Sequence, residues 1–243
     1  MALSRLQRIG SHMPVIINGE TFRSGEDVLN CKTFEEDASI SFVPPNHSRK
    51  RRNAPDLIVV HWTGGEGSHK RVLATLRKRN LSVHFVIDRD GQIYQTCDPM
   101  LVTCSHVGKF NSRSIGIEIV NYGSLPQNKT PWPLSAIPDT WRDRGVYSTL
   151  INNRHMWLAD FFAPQKAALR CLLSTLCTYC NIPGDVPVDV QGNPLHRRLR
   201  LTEARFFTGI CGHYHLSKTK IDPGTKCIDE IHGYMFKRVI KNG

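Results

Sequence analysis

The sequence has no apolar run that approaches the ~20 residues a membrane-spanning helix requires. Its first stretch, MALSRLQRIGSHMPV, holds two arginines but no apolar segment long enough for a secretory signal core. The chain is therefore expected to be cytoplasmic, with no membrane insertion. Internal repeats and low-complexity segments are also missing, which excludes solenoids and biased tracts. No helix-turn-helix, zinc-finger or RNP-type pattern occurs, so no nucleic-acid partner is expected. The one Cys-x-x-Cys, Cys177 to Cys180, has no second copy and sits inside a helical apolar pattern. It reads as small buried residues one turn apart rather than as a zinc or redox motif.

The length of 243 residues suffices for one generous domain with its own core. Hydrophobic residues make up 40% and charged residues 22%, as in ordinary globular chains. Thirty-two basic against 21 acidic residues give a net charge of +11, which favours polyanions such as nucleic acid or anionic cell-wall polymers. The densest run, Arg49-Lys50-Arg51-Arg52, reads as a solvated loop ahead of the first core strand. The eight cysteines are expected to be reduced thiols.

Along the chain, residues 1–13 are set aside as a possible tag or disordered terminus; Gly10-Ser11-His12-Met13 fits a cloning scar as well as native sequence. Residues 14–24 hold Asn18-Gly19 between β-prone runs, a hairpin signal. Residues 14–55 otherwise read as a loop-rich extension. Leu57-Ile58-Val59-Val60 is the continuous run expected of a strand buried on both faces. Residues 68–79 give a basic amphipathic helix. Val83 to Ile87 and Gln92 to Thr96 form strands joined by a turn at Asp90-Gly91. Ser114 to Val120 alternates, with Ile115, Ile117 and Ile119 on one face and Gly116 and Glu118 on the other. Residues 122–160 lack a period and read as a long insertion. Residues 163–181 form a helix started by Pro164, and 227–241 a C-terminal helix. Alternating strands and helices predict an α/β single domain over 56–241, a central mixed β-sheet flanked by helices.

Three places carry chemistry. His61 ends the buried strand and opens into Trp62-Thr63-Gly64-Gly65; such strand ends commonly hold sites, although a lone histidine is more often structural. The segment GHYHLSKTKIDPG, residues 212–224, packs His213, His215, Lys218, Lys220 and Asp222 without helix or strand pattern. It reads equally as a polar surface loop or as a source of zinc ligands, either histidine included. Glu118 stands on a sheet face beside Gly116, as a general base or as an ordinary solvated carboxylate.

Taken together and in order, IVVHWTGG, SVHFVIDRDGQIYQ, SHVGKFNSRSIGIEIVN and GHYHLSKTKIDPG resemble the type 2 N-acetylmuramoyl-L-alanine amidase family. That family includes phage endolysins, muropeptide-recycling amidases and peptidoglycan recognition proteins. The resemblance spans roughly residues 56–240. It implies a Zn2+ site of His61, His213 and Asp222, with Glu118 as catalytic acid–base and Lys220 as oxyanion stabiliser. It places His84, His106, Asn111, Trp62 and Thr63 along the substrate cleft, and Asn111 and Ser114 in an N-x-x-S lead into the acidic strand. In that family recognition proteins and one phage branch carry cysteine as third ligand, so Asp222 favours the bacterial and endolysin branch.

The implied activity is hydrolysis of the lactyl amide between N-acetylmuramic acid and L-alanine, with peptidoglycan or muropeptides as partners. The basic charge favours a wall-lytic, endolysin-type enzyme that acts after release from the cytoplasm. A cytosolic recycling amidase and a non-catalytic peptidoglycan-binding module are the rival readings.

Overall fold

The computed structural model describes residues 15–22, 31–33, 49–65, 67–125 and 144–241. The expected tag at 1–13, most of the extension and residues 126–143 of the expected insertion lie outside them.

The middle of the fold is a six-stranded mixed sheet, and its central strand is the apolar run. β5 (Leu57–Trp62) lies between β9 (Ser114–Ile119) and β12 (Gly209–Gly212), parallel to both. Leu57 to Val60 are fully buried, as a strand covered on both faces requires. β6 (Phe85–Ile87) runs parallel to β9, and β7 (Ile93–Gln95) returns antiparallel to β6 through the turn at Gly91. β3 (Cys31–Thr33) adds the far edge, parallel to β7. The order across the sheet is β12, β5, β9, β6, β7, β3.

One face of the sheet packs on two long helices, α2 (Ala163–Tyr179) and α5 (Thr225–Lys241). Ile58, Val60, Ile115 and Ile117 meet Leu169, Leu172, Leu173, Ile228 and Ile231 there. Each fully buried leucine of this layer contributes about 1.5–3 kcal/mol. Gln165 caps α2, its Oε1 accepting from Phe162 N–H, while its Nε2 donates to Val120 O at the end of β9. On the other face, α1 (His69–Lys78) buries Val72 and Leu76 against Val83, Val86, Tyr94 and Val120. A third cluster joins Leu57 and Val59 to Val107, Phe110, Leu199 and Ala204, the last from α3 (Leu201–Phe206).

The expected hairpin forms: β1 (Val15–Ile17) and β2 (Glu20–Phe22) turn at Asn18 and Gly19, with φ of 55° and 76°. Three segments differ from the sequence reading. The expected extension supplies β3 and also β4 (Arg49–Lys50), which pairs with β8 (Val102–Thr103). The expected insertion contains a hairpin, β10 (Val146–Ile151) and β11 (Arg154–Ala159), turned on Asn152-Asn153. The stretch after Gly212 makes one helical turn, α4 (His213–Leu216), where no pattern was visible. Strands of two or three residues are too short to show a period, and β10 is half-exposed along most of its length.

Candidate metal centre

The site is assembled by strand register. β5 and β9 pair so that His61 lies opposite Glu118, and in a sheet such neighbours project from the same face. On the other side of β5, Gly212 pairs with Val60, so the chain leaves β12 beside His61 and His213 follows at once. The loop then turns back, and Tyr214 N–H donates to Asp222 O at 3.1 Å. His61, His213 and Asp222 thus converge from a strand, the start of a helical turn and a loop.

Their donor atoms form a small triangle. His61 Nδ1 lies 3.0 Å from His213 Nδ1 and 3.1 Å from Asp222 Oδ2, and His213 Nδ1 lies 3.0 Å from Asp222 Oδ2. Nitrogen and oxygen donors at roughly 2.0–2.1 Å from one tetrahedral ion would stand about 3.3 Å apart. Two imidazoles and one carboxylate at this spacing suit Zn2+.

Proton positions agree with that use. If His61 Nδ1 offers its lone pair to the triangle, its Nε2–H donates to His106 Nδ1 at 2.9 Å, and His106 Nε2–H donates to Ser114 Oγ at 3.1 Å. Burial lowers the His61 pKa to about 4 against the opposing hydrogen bond with Asp222, so the ring is neutral at pH 7, the form that binds metals. Burial alone would raise Asp222, but the hydrogen bonds with His213 and His61 outweigh it and hold the carboxyl below its ordinary range. Burial and then the Asp222 charge push Glu118 up to about 8, with Lys220 and Arg79 pulling weakly the other way. Glu118 Oε2 is sealed from solvent and has no hydrogen-bond partner, so one carboxylate oxygen is held in reserve beside the triangle.

A cleft of about 510 Å3 opens over this group. His61, Trp62, Thr63, His106, Glu118, His213, Lys220 and Asp222 all line it. Thr63 Oγ1 donates to Gly65 O at 2.7 Å and accepts from Asn121 N–H, which fixes the glycine loop against the end of β9. Two expected cleft residues lie elsewhere. His84 is fully buried; its Nδ1 accepts from Gly116 N–H and its Nε2 donates to Val102 O. Asn111 Oδ1 accepts from the backbone N–H of His106 and Val107, so it shapes the loop that carries His106. The alternative ligand His215 is fully buried and held by Gly212 N–H and Leu195 O, away from the triangle. Cys211 and Cys227 are buried in apolar clusters. The sequence reading missed Arg71 on α1 and Arg79 at its C-terminal cap, which line the cleft beside Val72 and Leu76. Their signal was the spacing that puts 71, 72, 75, 76 and 79 on one helical face.

Among the described residues a second group, His84, Cys97 and Cys104, also has ligand-type atoms close together. No described helix is long and apolar enough to cross a membrane.

A family model described as N-acetylmuramoyl-L-alanine amidase matches residues 51–225. Among solved structures, the chain is similar to the N-acetylmuramoyl-L-alanine amidase LysC from Clostridium intestinale URNW, with 16% identity, a TM-score of 0.51, and 85% of this chain and 97% of that one covered. At that identity the likeness supports the fold. Weaker likenesses are to the Ph2119 endolysin from Thermus scotoductus MAT2119 bacteriophage Ph2119 (19% identity, TM-score 0.43, 77% and 88% covered) and to Manduca sexta Peptidoglycan Recognition Protein-1 (14%, 0.44, 81% and 86%). No curated protein matches the sequence.

Proposed function

Because this chain belongs to the N-acetylmuramoyl-L-alanine amidase family, we propose that it is a zinc-dependent amidase that cuts the lactyl amide between N-acetylmuramic acid and L-alanine in peptidoglycan. The observation that carries this reading is the donor triangle of His61, His213 and Asp222, with Glu118 in register beside it. A recognition domain that only holds its ligand has no need of a solvent-sealed, unpartnered carboxylate oxygen next to three metal-type donors.

His61, His213 and Asp222 would hold the Zn2+, which when bound would supply Lewis acidity for the scissile carbonyl and the attacking water. Glu118 takes the proton from the attacking water and passes it to the alanine nitrogen as the C–N bond breaks. Lys220, exposed at the cleft wall, donates to the oxygen that gains negative charge. Loss of one such donor typically costs about 10²–10³ in rate. His106 orients His61 through the Nε2–Nδ1 hydrogen bond, and Ser114 in turn orients His106. Arg71 and Arg79 give the cleft a cationic wall suited to the carboxylates of a stem peptide.

The net charge of +11 favours action on the anionic wall itself, as an endolysin-type enzyme. The test is to incubate the protein with intact sacculi and with soluble muropeptides, and to identify the products by mass. Release of free stem peptides from sacculi, abolished by a chelator and restored by zinc, is the expected result. Cleavage confined to soluble fragments overturns the wall-lytic role, and full activity in a metal-free preparation overturns the zinc mechanism.

A further inference from the structure

Cys97 and Cys104 do not line the cleft and have no part in the amidase reading. Their Sγ atoms lie 3.3 Å apart, and neither is in a disulfide. Cys97 follows β7 and is half-buried, whereas Cys104 follows β8 and is fully buried. Between them runs Asp98-Pro99-Met100-Leu101-Val102-Thr103, and His106 comes two residues later.

The surroundings decide what the pair can do. His84 stands close enough to complete a metal site with the two sulfurs. Both its ring nitrogens, however, are already engaged with backbone, at Gly116 N–H and Val102 O. Arg51 Nη2 also lies 3.3 Å from His84 Nε2, which places a fixed positive charge beside one of the two nitrogens a metal ion would need. The Arg51 guanidinium donates to the carbonyls of Val102, Ser112 and Ser114, and these bonds leave its charge intact. A buried cation beside two thiols repels metal ions and favours a thiolate.

We propose that Cys97 and Cys104 form a thiol–disulfide exchange site, with Cys97 as the attacking thiol and Cys104 as the resolving thiol. The co-reactant is a low-molecular-weight disulfide. The Cys97 thiolate attacks one of its sulfurs, forming a mixed disulfide and releasing one thiolate, which takes up the proton that Cys97 lost. Cys104 then loses its proton and attacks Cys97 Sγ; the second small thiolate leaves and takes that proton. The protein dithiol is oxidised by two electrons, and one small disulfide is reduced to two thiols. The assignment of roles follows residue exposure, since Cys97 is partly exposed and Cys104 is fully buried. It agrees with the acidities: the hydrogen bond from Cys104 lowers the Cys97 pKa, while burial raises that of Cys104. Closure ties the segment that leads to His106 back onto the end of β7.

Both cysteines fall in one tryptic peptide, residues 90–109, bounded by Arg89 and Lys109 with no other cysteine between them. The full-length protein is treated with oxidised glutathione, quenched with acid, alkylated and digested. The expected result is that this peptide escapes alkylation and loses the mass of two hydrogens. The Cys104→Ser variant should halt as a glutathione adduct on Cys97, and Cys97→Ser should form neither product. The reading is overturned if the untreated peptide resists alkylation until a chelator removes zinc. It is equally overturned if the parent halts as the adduct, or if either cysteine links to a different peptide. The parent measurement needs no variant to fold, and it does not depend on amidase activity.

Discussion

Replacing Glu118 with glutamine separates chemistry from folding in one experiment. Burial and the Asp222 charge raise the Glu118 pKa from its ordinary 4.5 to about 8 in the metal-free protein. Below pH 4.5 the group is protonated in folded and unfolded chains alike and contributes nothing to the pH dependence. Between about 4.5 and 8 the unfolded chain ionises while the folded one keeps its proton, so stability falls as pH rises, by about 1.4 kcal/mol per pH unit. Above pH 8 the penalty is complete, a few kcal/mol in all. Glu118→Gln retains the shape and removes the charge, and Oε2 has no partner to lose. Chelated parent and variant should therefore have similar urea midpoints at pH 4, and the variant should be the more stable at pH 9. The zinc-loaded variant should bind metal normally yet lose about 10²–10⁴ in turnover, the usual worth of a general acid–base. Turnover within a few-fold of the parent, or equal stability of the two chelated proteins at pH 9, would refute the reasoning.

Other substitutions probe other levels of the fold. Asp222→Asn removes the one charged donor of the triangle, so the protein should lose zinc on dialysis while the parent keeps it, as metal analysis would show. At Gly116 an added Cβ would meet the His106 ring at 2.8 Å. Gly116→Ala should therefore displace His106 and lower kcat/KM by about 10² with the circular dichroism spectrum retained. Arg51→Lys cannot reach all three of its carbonyl partners; Val102 O keeps its bond with His84, but the buried Ser114 O left unpaired would cost about 1–3 kcal/mol, and the denaturation midpoint should drop accordingly. Leu172→Ala, in the fully buried layer under the sheet, should cost about 2–5 kcal/mol and leave zinc binding unchanged.

The parts of the molecule that were legible in its sequence are those with long periods or continuous burial. Leu57 to Val60 announced a central strand, the isoleucines of Ser114 to Ile119 announced its neighbour, and Ala163 to Tyr179 announced a helix. His61 and Glu118 could be placed from this, because strand pattern fixes which face a residue takes. Short pairings were illegible: β3 and β4 are three and two residues long, and what holds them is a partner far away in the chain. The reading of Arg49 to Arg52 as a solvated run was right for three residues and missed the fourth. Arg51 turns inward, and only the tertiary structure supplies the carbonyls that permit its burial. His84 and His215 were ambiguous for the same reason, since a buried histidine satisfied by backbone looks, in sequence, like a ligand.

The register between β5 and β9 also limits how such a chain can change its length. His61 and Glu118 are set opposite each other by six successive residue pairs, from Leu57–Ser114 to Trp62–Ile119. Adding one residue within either strand ahead of the site would place Val60 or Ile117 where a donor or a base belongs, and deleting one would place Trp62 or Ile119 there. Slipping by two would restore the face but move the group about 6.6 Å along the strand. A library of single-codon insertions should accordingly leave two silent gaps among active clones, over 57–61 and 114–118. The Asn18-Gly19 turn between β1 and β2, exposed at both residues, should accept the same insertions more readily.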